Sequence, residues 1–260
     1  MKALHIAATG MKAQELNVEV ISNNVANMRT TAFKRQRADF QDLLYQNLRR
    51  MGSQTSSAGT IVPTGVQIGS GVKTAATARI MSQGSLEETG KELDLAIRGE
   101  GFFQITLPDG TTAYTRDGSF ERDANGDLVT VDGYAVQPGI NIPNDSRDLS
   151  IASDGTVQAI DGTGATVTLG QLELARFINK SGLESIGDNL YLATDASGDA
   201  QVGTPGLEGY GDLQQNHLEM SNVDAVTEIS DLIAAQRAYE MNSRIIQAAD
   251  EMYSTTTNIR

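Results

Sequence analysis

The chain of 260 residues has no cysteine, no tryptophan, two histidines and five prolines. Without cysteine there is no disulfide, no thiolate-ligated zinc and no thiol nucleophile. His5 and His217 are the only histidines, far apart and without a second cluster of ligands, so each is assigned a surface or packing role and no metal or cofactor is expected. Aromatic residues make up 5% of the chain, so any core must be built from Val, Ile, Leu and Ala. No apolar run approaches the ~20 residues of a membrane span, and no membrane insertion is expected. A cleavable export signal is not expected either. Lys2 stands alone ahead of an apolar stretch interrupted by His5 and Thr9, and Lys12, Gln14 and Glu15 follow at once.

Catalytic motifs are also missing. Gly84 to Lys91 superficially resembles a phosphate loop, but Ser85 stands where its first glycine belongs and Glu92 follows the lysine. Asp123, Asn125 and Asp127 have calcium-loop spacing, yet Leu128 occupies the glycine position and no Glu closes the loop. Asn125-Gly126 reads instead as a hairpin turn. No Gly-x-Ser-x-Gly elbow occurs, and the chain is not expected to be an enzyme.

The net charge is −13 and unevenly spread. Residues 1–50 carry eight basic and four acidic side chains, a net +4, which leaves −17 for the rest. A polyanion would be repelled by most of the molecule, so no nucleic acid is expected as a partner. A basic segment on an acidic chain suits contact between copies of the chain itself.

The ends of the chain carry the strongest pattern. Leu4, Ala7, Met11, Gln14, Val18, Ile21, Val25 and Met28 are spaced alternately by three and four. Ala238, Met241, Ile245, Ala248, Met252, Thr255 and Ile259 repeat that spacing. Ile229, Leu232, Gln236, Tyr239, Ser243 and Ile246 form a second stripe beside the C-terminal one. The patterns predict a helix over about 1–27 and another from about Ser221-Asn222-Val223-Asp224, which offers N-cap residues, to Ile259. The first would be about 40 Å long. One apolar seam does not stabilise such a helix alone, so partner helices are required. Leu4, Met11, Val18, Ile21, Val25, Ile229, Leu232, Tyr239, Ile245, Ile246 and Met252 are the expected subunit-interface residues.

Between the helices the pattern is extended. Phe40, Leu43 and Leu44 fit one short helix, residues 46–60 read as a long polar loop, and 61–81 alternates weakly as strand. From Leu93 onward, short apolar runs are punctuated by Asp109-Gly110, Asp117-Gly118, Asn125-Gly126, Asp132-Gly133 and Asp154-Gly155. These predict a meander of short hairpins.

Five blocks in order carry a family resemblance over essentially the whole chain. Ser22-Asn23-Asn24-Val25-Ala26-Asn27 followed by Thr30-Thr31-Ala32-Phe33-Lys34 resembles the N-terminal signature of flagellar rod and hook proteins. Arg98-Gly99-Glu100-Gly101-Phe102-Phe103 is similar to that family's central Arg-Gly-x-Gly-Phe-Phe element. Tyr114-Thr115-Arg116-Asp117-Gly118-Ser119-Phe120 extends the match. Ser221-Asn222-Val223-Asp224 and Gln236-Arg237-Ala238-Tyr239-Glu240 resemble its C-terminal signature. The motif residues are Asn23, Asn24, Asn27, Phe33 and Lys34. Two positions depart from the pattern: Ala32 stands where the family usually has glycine, and Met28-Arg29 where it often has Val-Asn.

The resulting expectation is a discontinuous α+β fold. Residues 1–30 with 218–260 would form a coiled-coil layer of terminal helices. Residues 31–90 with 190–217 would form an extended connecting layer including an insert at 46–62, and 91–189 an outer all-β domain. The resemblance implies a structural subunit that polymerises with itself into a hollow, torque-transmitting shaft between proximal rod and hook. Proximal rod proteins, the hook protein or its junction, and surrounding outer-membrane and peptidoglycan ring proteins are the implied partners. It also implies export by the flagellar secretion apparatus, without a cleaved signal peptide, into a flagellar basal body that spans the periplasm to the outer membrane. Arg49 and Arg50 in the insert are assigned to stiffening. A hook or proximal-rod subunit is the alternative within the family. A secreted glycan-acting enzyme is the alternative outside it, disfavoured because aromatic rings are too few to flank a catalytic carboxylate pair.

Overall fold

The three-four spacing at both termini folds as helix: α1 spans Lys2–Ala26 and α2 spans Ala225–Asn258. The computed structural model describes residues 2–49, 51, 64–143, 145–146, 148–162 and 164–258, with side chains to Thr255. Asn27 ends α1, its carbonyl accepting from the Thr30 amide and its side chain from the Thr30 hydroxyl. Asp224 caps α2, accepting from the Val226 amide and the Thr227 hydroxyl.

The chain forms two compact units. One holds both helices and four strands. β1 (Gln36–Asp42) pairs antiparallel with β4 (Val72–Arg79), and β2 (Tyr45–Arg49) with β3 (Val66–Gly69). The two helices pack on each other, and α1 also packs on β1 and β4. Two contacts give the helix register. Asn24 Nδ2 donates to Glu228 Oε2 at 3.0 Å, and a Cβ on Gly10 would lie 3.0 Å from Asn242 Nδ2. The paired positions lie fourteen residues apart on each helix, so the helices run antiparallel.

Two local expectations are overturned in this unit. Phe40 lies in β1, not in a short helix, because β4 offers a run of main-chain partners from Arg79 back to Val72. Cross-strand pairing with a Thr- and Val-bearing strand outweighs a local apolar spacing of three and four. The expected loop from residue 46 begins as strand β2, since Tyr45, Gln46 and Asn47 pair with Gly69, Ile68 and Gln67.

The other unit comprises Asn27–Arg35 and Ile80–Val223. Its seven-stranded sheet runs β16 (Glu184–Gly187), β17 (Leu190–Leu192), β8 (Thr112–Thr115), β7 (Phe103–Thr106), β11 (Ala135–Val136), β10 (Leu128–Thr130) and β9 (Phe120–Arg122). A three-stranded sheet follows the order β12 (Asp148–Ile151), β13 (Thr156–Ile160) and β14 (Thr166–Gln171). Three two-stranded pairs complete the unit: β15 (Leu174–Arg176) with β18 (Gln201–Gly203), β6 (Leu95–Arg98) with β19 (Asp212–Gln215), and β5 (Leu86–Glu88) with β20 (His217–Glu219). The architecture is α+β, with terminal helices in contact and small antiparallel sheets between them in sequence.

Adjacent side chains on a strand face opposite ways, and Phe102-Phe103 uses this. Phe103 enters the main core with Leu95, Ile97, Ile105 and Phe120, while Phe102 joins Tyr114, Phe177 and Tyr191 in a second cluster. Tyr114 and Phe177 meet edge to face at 4.8 Å. With few aromatics available, these rings are concentrated around one motif.

Four of the five predicted turn dipeptides connect paired strands. Asp117-Gly118 does not: β8 pairs with β7 and β17, and β9 with β10. Gly118 is needed for close approach, because a Cβ there would lie 1.8 Å from the Leu95 carbonyl oxygen.

Ala32 has φ +57°, is 1% exposed, and its amide donates to the Glu219 carbonyl at 2.7 Å. The left-handed conformation is therefore required, and alanine adopts it at a cost of about 1–2 kcal/mol. Ala32→Gly relieves that strain but loses a buried methyl and loosens the unfolded chain, so stability in urea should change by less than about 1 kcal/mol. Ala32→Val should cost about 2–4 kcal/mol, because a branched side chain is both strained and overpacked there.

Candidate functional site

The signature residues converge on a buried ion cluster. Glu219 on β20 is fully buried, as are Lys34 (1% exposed) and Arg116 (5%). Glu219 Oε1 accepts from Lys34 Nζ and from the Gly84 amide at 2.9 Å, and Oε2 accepts from Arg116 Nε at 2.8 Å. Arg116 uses all five donors: Nη1 serves the Gly99 and Gly101 carbonyls, and Nη2 those of Ile97 and Gly99. The Arg-Gly-x-Gly turn thus wraps a guanidinium whose fork geometry fits converging carbonyls. Lys34 Nζ also donates to the Ser82 carbonyl at 2.8 Å.

Asparagines secure the neighbouring segments. Asn24 is 1% exposed, and its amide pairs with the Gln36 main chain in both directions at 2.8 Å. Asn222 accepts from the Arg35 amide and donates to the Ile80 and Ser82 carbonyls. Phe33 is buried, whereas Asn23 is exposed.

Burial opposes ionisation of Glu219, but Arg116, Lys34 and the Gly84 amide outweigh it and hold the carboxyl below the ordinary glutamate range. Burial pulls Lys34 below the ordinary lysine range, against the attraction of Glu219. A carboxylate with a depressed folded pKa contributes stability at neutral pH that is lost as pH falls through that pKa. The Asp109, Asp123 and Asp154 carboxyls are lowered likewise, chiefly by the Thr111 hydroxyl, the Asp127 amide and the Thr156 amide respectively. Urea midpoints should therefore hold near neutrality and fall steadily below about pH 4.5.

The predicted interface residues fall into three groups. Ile21 is buried on α1. Leu4, Met11, Val18, Val25, Leu232 and Ile246 are half-buried. Ile229, Tyr239, Ile245 and Met252 are exposed, at 49%, 44%, 48% and 64%. The side of α2 that meets α1 is built from Glu228, Ala235, Asn242 and Ala249, spaced by sevens. By helical geometry Ile233 lies on the far side of α2, whereas Met241, Ile245 and Met252 form a stripe that flanks the α1-facing side, and each of the four is 46–64% exposed. A helix apolar on two sides is built to be covered on two sides. Arg49 ends β2 and is exposed, whereas Arg50 and residues 52–63 lie outside the described residues. His217 Nδ1 lies 2.7 Å from the Gln215 carbonyl, and His5 is exposed.

Comparison with known proteins agrees with the signatures. Residues 4–34 match the flagella basal body rod protein family, 96–159 the flagellar hook protein FlgE/F/G D1 domain, and 214–259 the flagellar basal body rod FlgEFG protein C-terminal family. A flagellar basal-body rod protein FlgG of Caulobacter vibrioides is 57% identical over the full length of both chains. This chain belongs to the flagellar basal-body rod protein FlgG family. The Agrobacterium fabrum FlgG is 55% identical over 98% of this chain and 97% of its own, and the Bacillus subtilis FlgG 40% over 100% and 99%. The family is structural, and the chain is a structural protein, not an enzyme.

Sequence reasoning gave no role to Glu219, Arg116 or Glu228. Arg116 sat within a recognised block, but four of its five bonds go to carbonyls 15–19 residues earlier and the fifth to Glu219, 103 residues later. Glu219 had no local signal: one more carboxylate on an acidic chain looks solvated until the fold buries it.

Proposed function

We propose that the chain is a subunit of the distal rod, polymerising head to tail into a hollow helical shaft that carries motor torque to the hook. The observation that supports this most is the exposed apolar stripe of α2, on a helix already packed against α1. Heterologous contacts that do not close into a ring generate such a filament. In the filament, residues 1–30 with 218–260 make the helical inner layer, 31–90 with 190–217 the connecting layer, and 91–189 the outer domain. Proximal rod proteins adjoin it on one side and the hook or its junction on the other, and outer-membrane and peptidoglycan rings surround it. Basal bodies purified from a strain lacking this chain should end at the proximal rod, and supplying the chain should extend them to full length. Full-length rods without it would contradict the assignment.

The segment bounded by β2 and β3 is assigned to stiffening. It is longer than a hairpin needs and polar in composition, and Arg49 at its edge is free to meet acidic neighbours. Deleting residues 52–62, which leaves both strands, should preserve polymerisation but give rods that bend under electron microscopy. Straight, rigid rods from that strain would remove the assignment.

A further inference from the structure

We propose that the Lys34–Glu219–Arg116 cluster is a completion latch: the β-rich unit cannot close around its N-terminal segment until the last stretch of that unit, residues 212–222, is in place. Two buried cations share one buried carboxylate. Arg116 is always charged, and among the described residues Lys34 Nζ has only the Ser82 carbonyl besides Glu219 as acceptor. Before Glu219 arrives, closing the unit would bury the Arg116 cation with no counter-charge and would leave Lys34 either a second unpaired cation or stripped of its proton. Glu219 arrives late by any N-to-C order, 185 residues after Lys34 and 103 after Arg116.

The main chain repeats the dependence. β19 and β20 are the partners of β6 and β5. The Ala32 amide bonds to the Glu219 carbonyl, the Asn222 amide to the Phe33 carbonyl, and the Met220 amide to the Ser85 carbonyl. Asn222 holds Arg35 and Ile80 together from the same late segment. Ala32, Phe33, Lys34 and Arg35 are thus each held by a bond to Glu219 or Asn222, more than 180 positions later, beside nearer bonds from Lys34 to Ser82 and from Ile80 to Arg35. An incomplete chain leaves that segment released, and a complete one fixes it. The latch stands on the contacts within this unit and does not depend on what the rod assembles with.

Pulse-labelled hydrogen exchange during refolding of the full chain from urea tests it. The Ile80 amide, bonded to the Arg35 carbonyl, and the Leu95 amide, bonded to the Gly118 carbonyl, should gain protection in the same step as the Met220 amide. Protection of Ile80 and Leu95 while Met220 still exchanges would overturn the proposal. In the native state, Glu219→Gln should speed exchange at Ile80 and Leu95 by at least about 100-fold, the factor expected for a buried cation left without its partner. Adding Lys34→Met should recover part of that loss, since it removes one uncompensated charge. Wild-type exchange in Glu219→Gln, or no recovery in the double variant, would show that charge does not hold the latch. If Glu219→Gln fails to fold, the refolding order of the unaltered chain decides alone.

Discussion

Arg116→Ala is expected to destabilise its unit by at least about 4 kcal/mol, a large part of the ~5–15 kcal/mol that holds a domain together. The substitution strips Glu219 of one of its two cations and takes the guanidinium donors from the Gly99 and Gly101 carbonyls, while the Ile97 carbonyl keeps the Gln83 side-chain amide. Nothing else described near them replaces a planar fork of five donors. Lysine is not a conservative exchange there: an ammonium offers three donors from one point and cannot span the carboxylate and the turn together. Arg116→Lys should therefore recover less than half of the loss. Urea unfolding followed by far-ultraviolet dichroism checks both. A midpoint for Arg116→Ala near that of the parent chain would mean that the cluster is incidental.

The second large effect is expected in assembly and not in folding. Met241 and Ile245 are 59% and 48% exposed on α2. Met241→Asp with Ile245→Asp should change the stability of the isolated chain by less than about 1 kcal/mol, the range of helix propensity and surface substitution. In a filament the same carboxylates would have to be desolvated against a neighbouring helix, at several kcal/mol in every subunit. Polymerisation and motility should be abolished. The separation is informative because Ile21→Asp cannot provide it: Ile21 is 5% exposed in the isolated chain, so that change damages the fold itself. A motile strain carrying the double aspartate variant would show that the stripe faces solvent.

Legibility of the sequence followed the range of the interaction. Helix geometry is local, and alternating three-four spacing placed α1 and α2 to within a few residues. Turn chemistry is also local, and the Asp-Gly and Asn-Gly dipeptides located four hairpins. Asp117-Gly118 misled because glycine can serve close approach as well as a turn, and the Leu95 carbonyl that demands it lies over twenty residues away. β1 misled because its partner strand begins thirty residues downstream. The α1-facing side of α2 was invisible for a different reason. It is built from Glu228, Ala235, Asn242 and Ala249, small or polar residues that let two helices approach closely, whereas a search for large apolar residues finds the stripes that flank it. The large residues are the ones the isolated chain leaves exposed. The buried cluster was the least legible of all. Its members lie at positions 34, 116 and 219, and only the fold makes them neighbours.

Copies of the chain cover the exposed stripe of α2 in the proposed rod. The absence of cysteine makes a direct test simple. Ile245→Cys introduces the only thiol in the chain, and a maleimide reagent reports its accessibility. The thiol should react fully in the dissolved subunit and be protected in assembled rods isolated from the same strain. Equal labelling of subunit and rod, with the rod intact by electron microscopy, would contradict the claim that this face joins one subunit to the next.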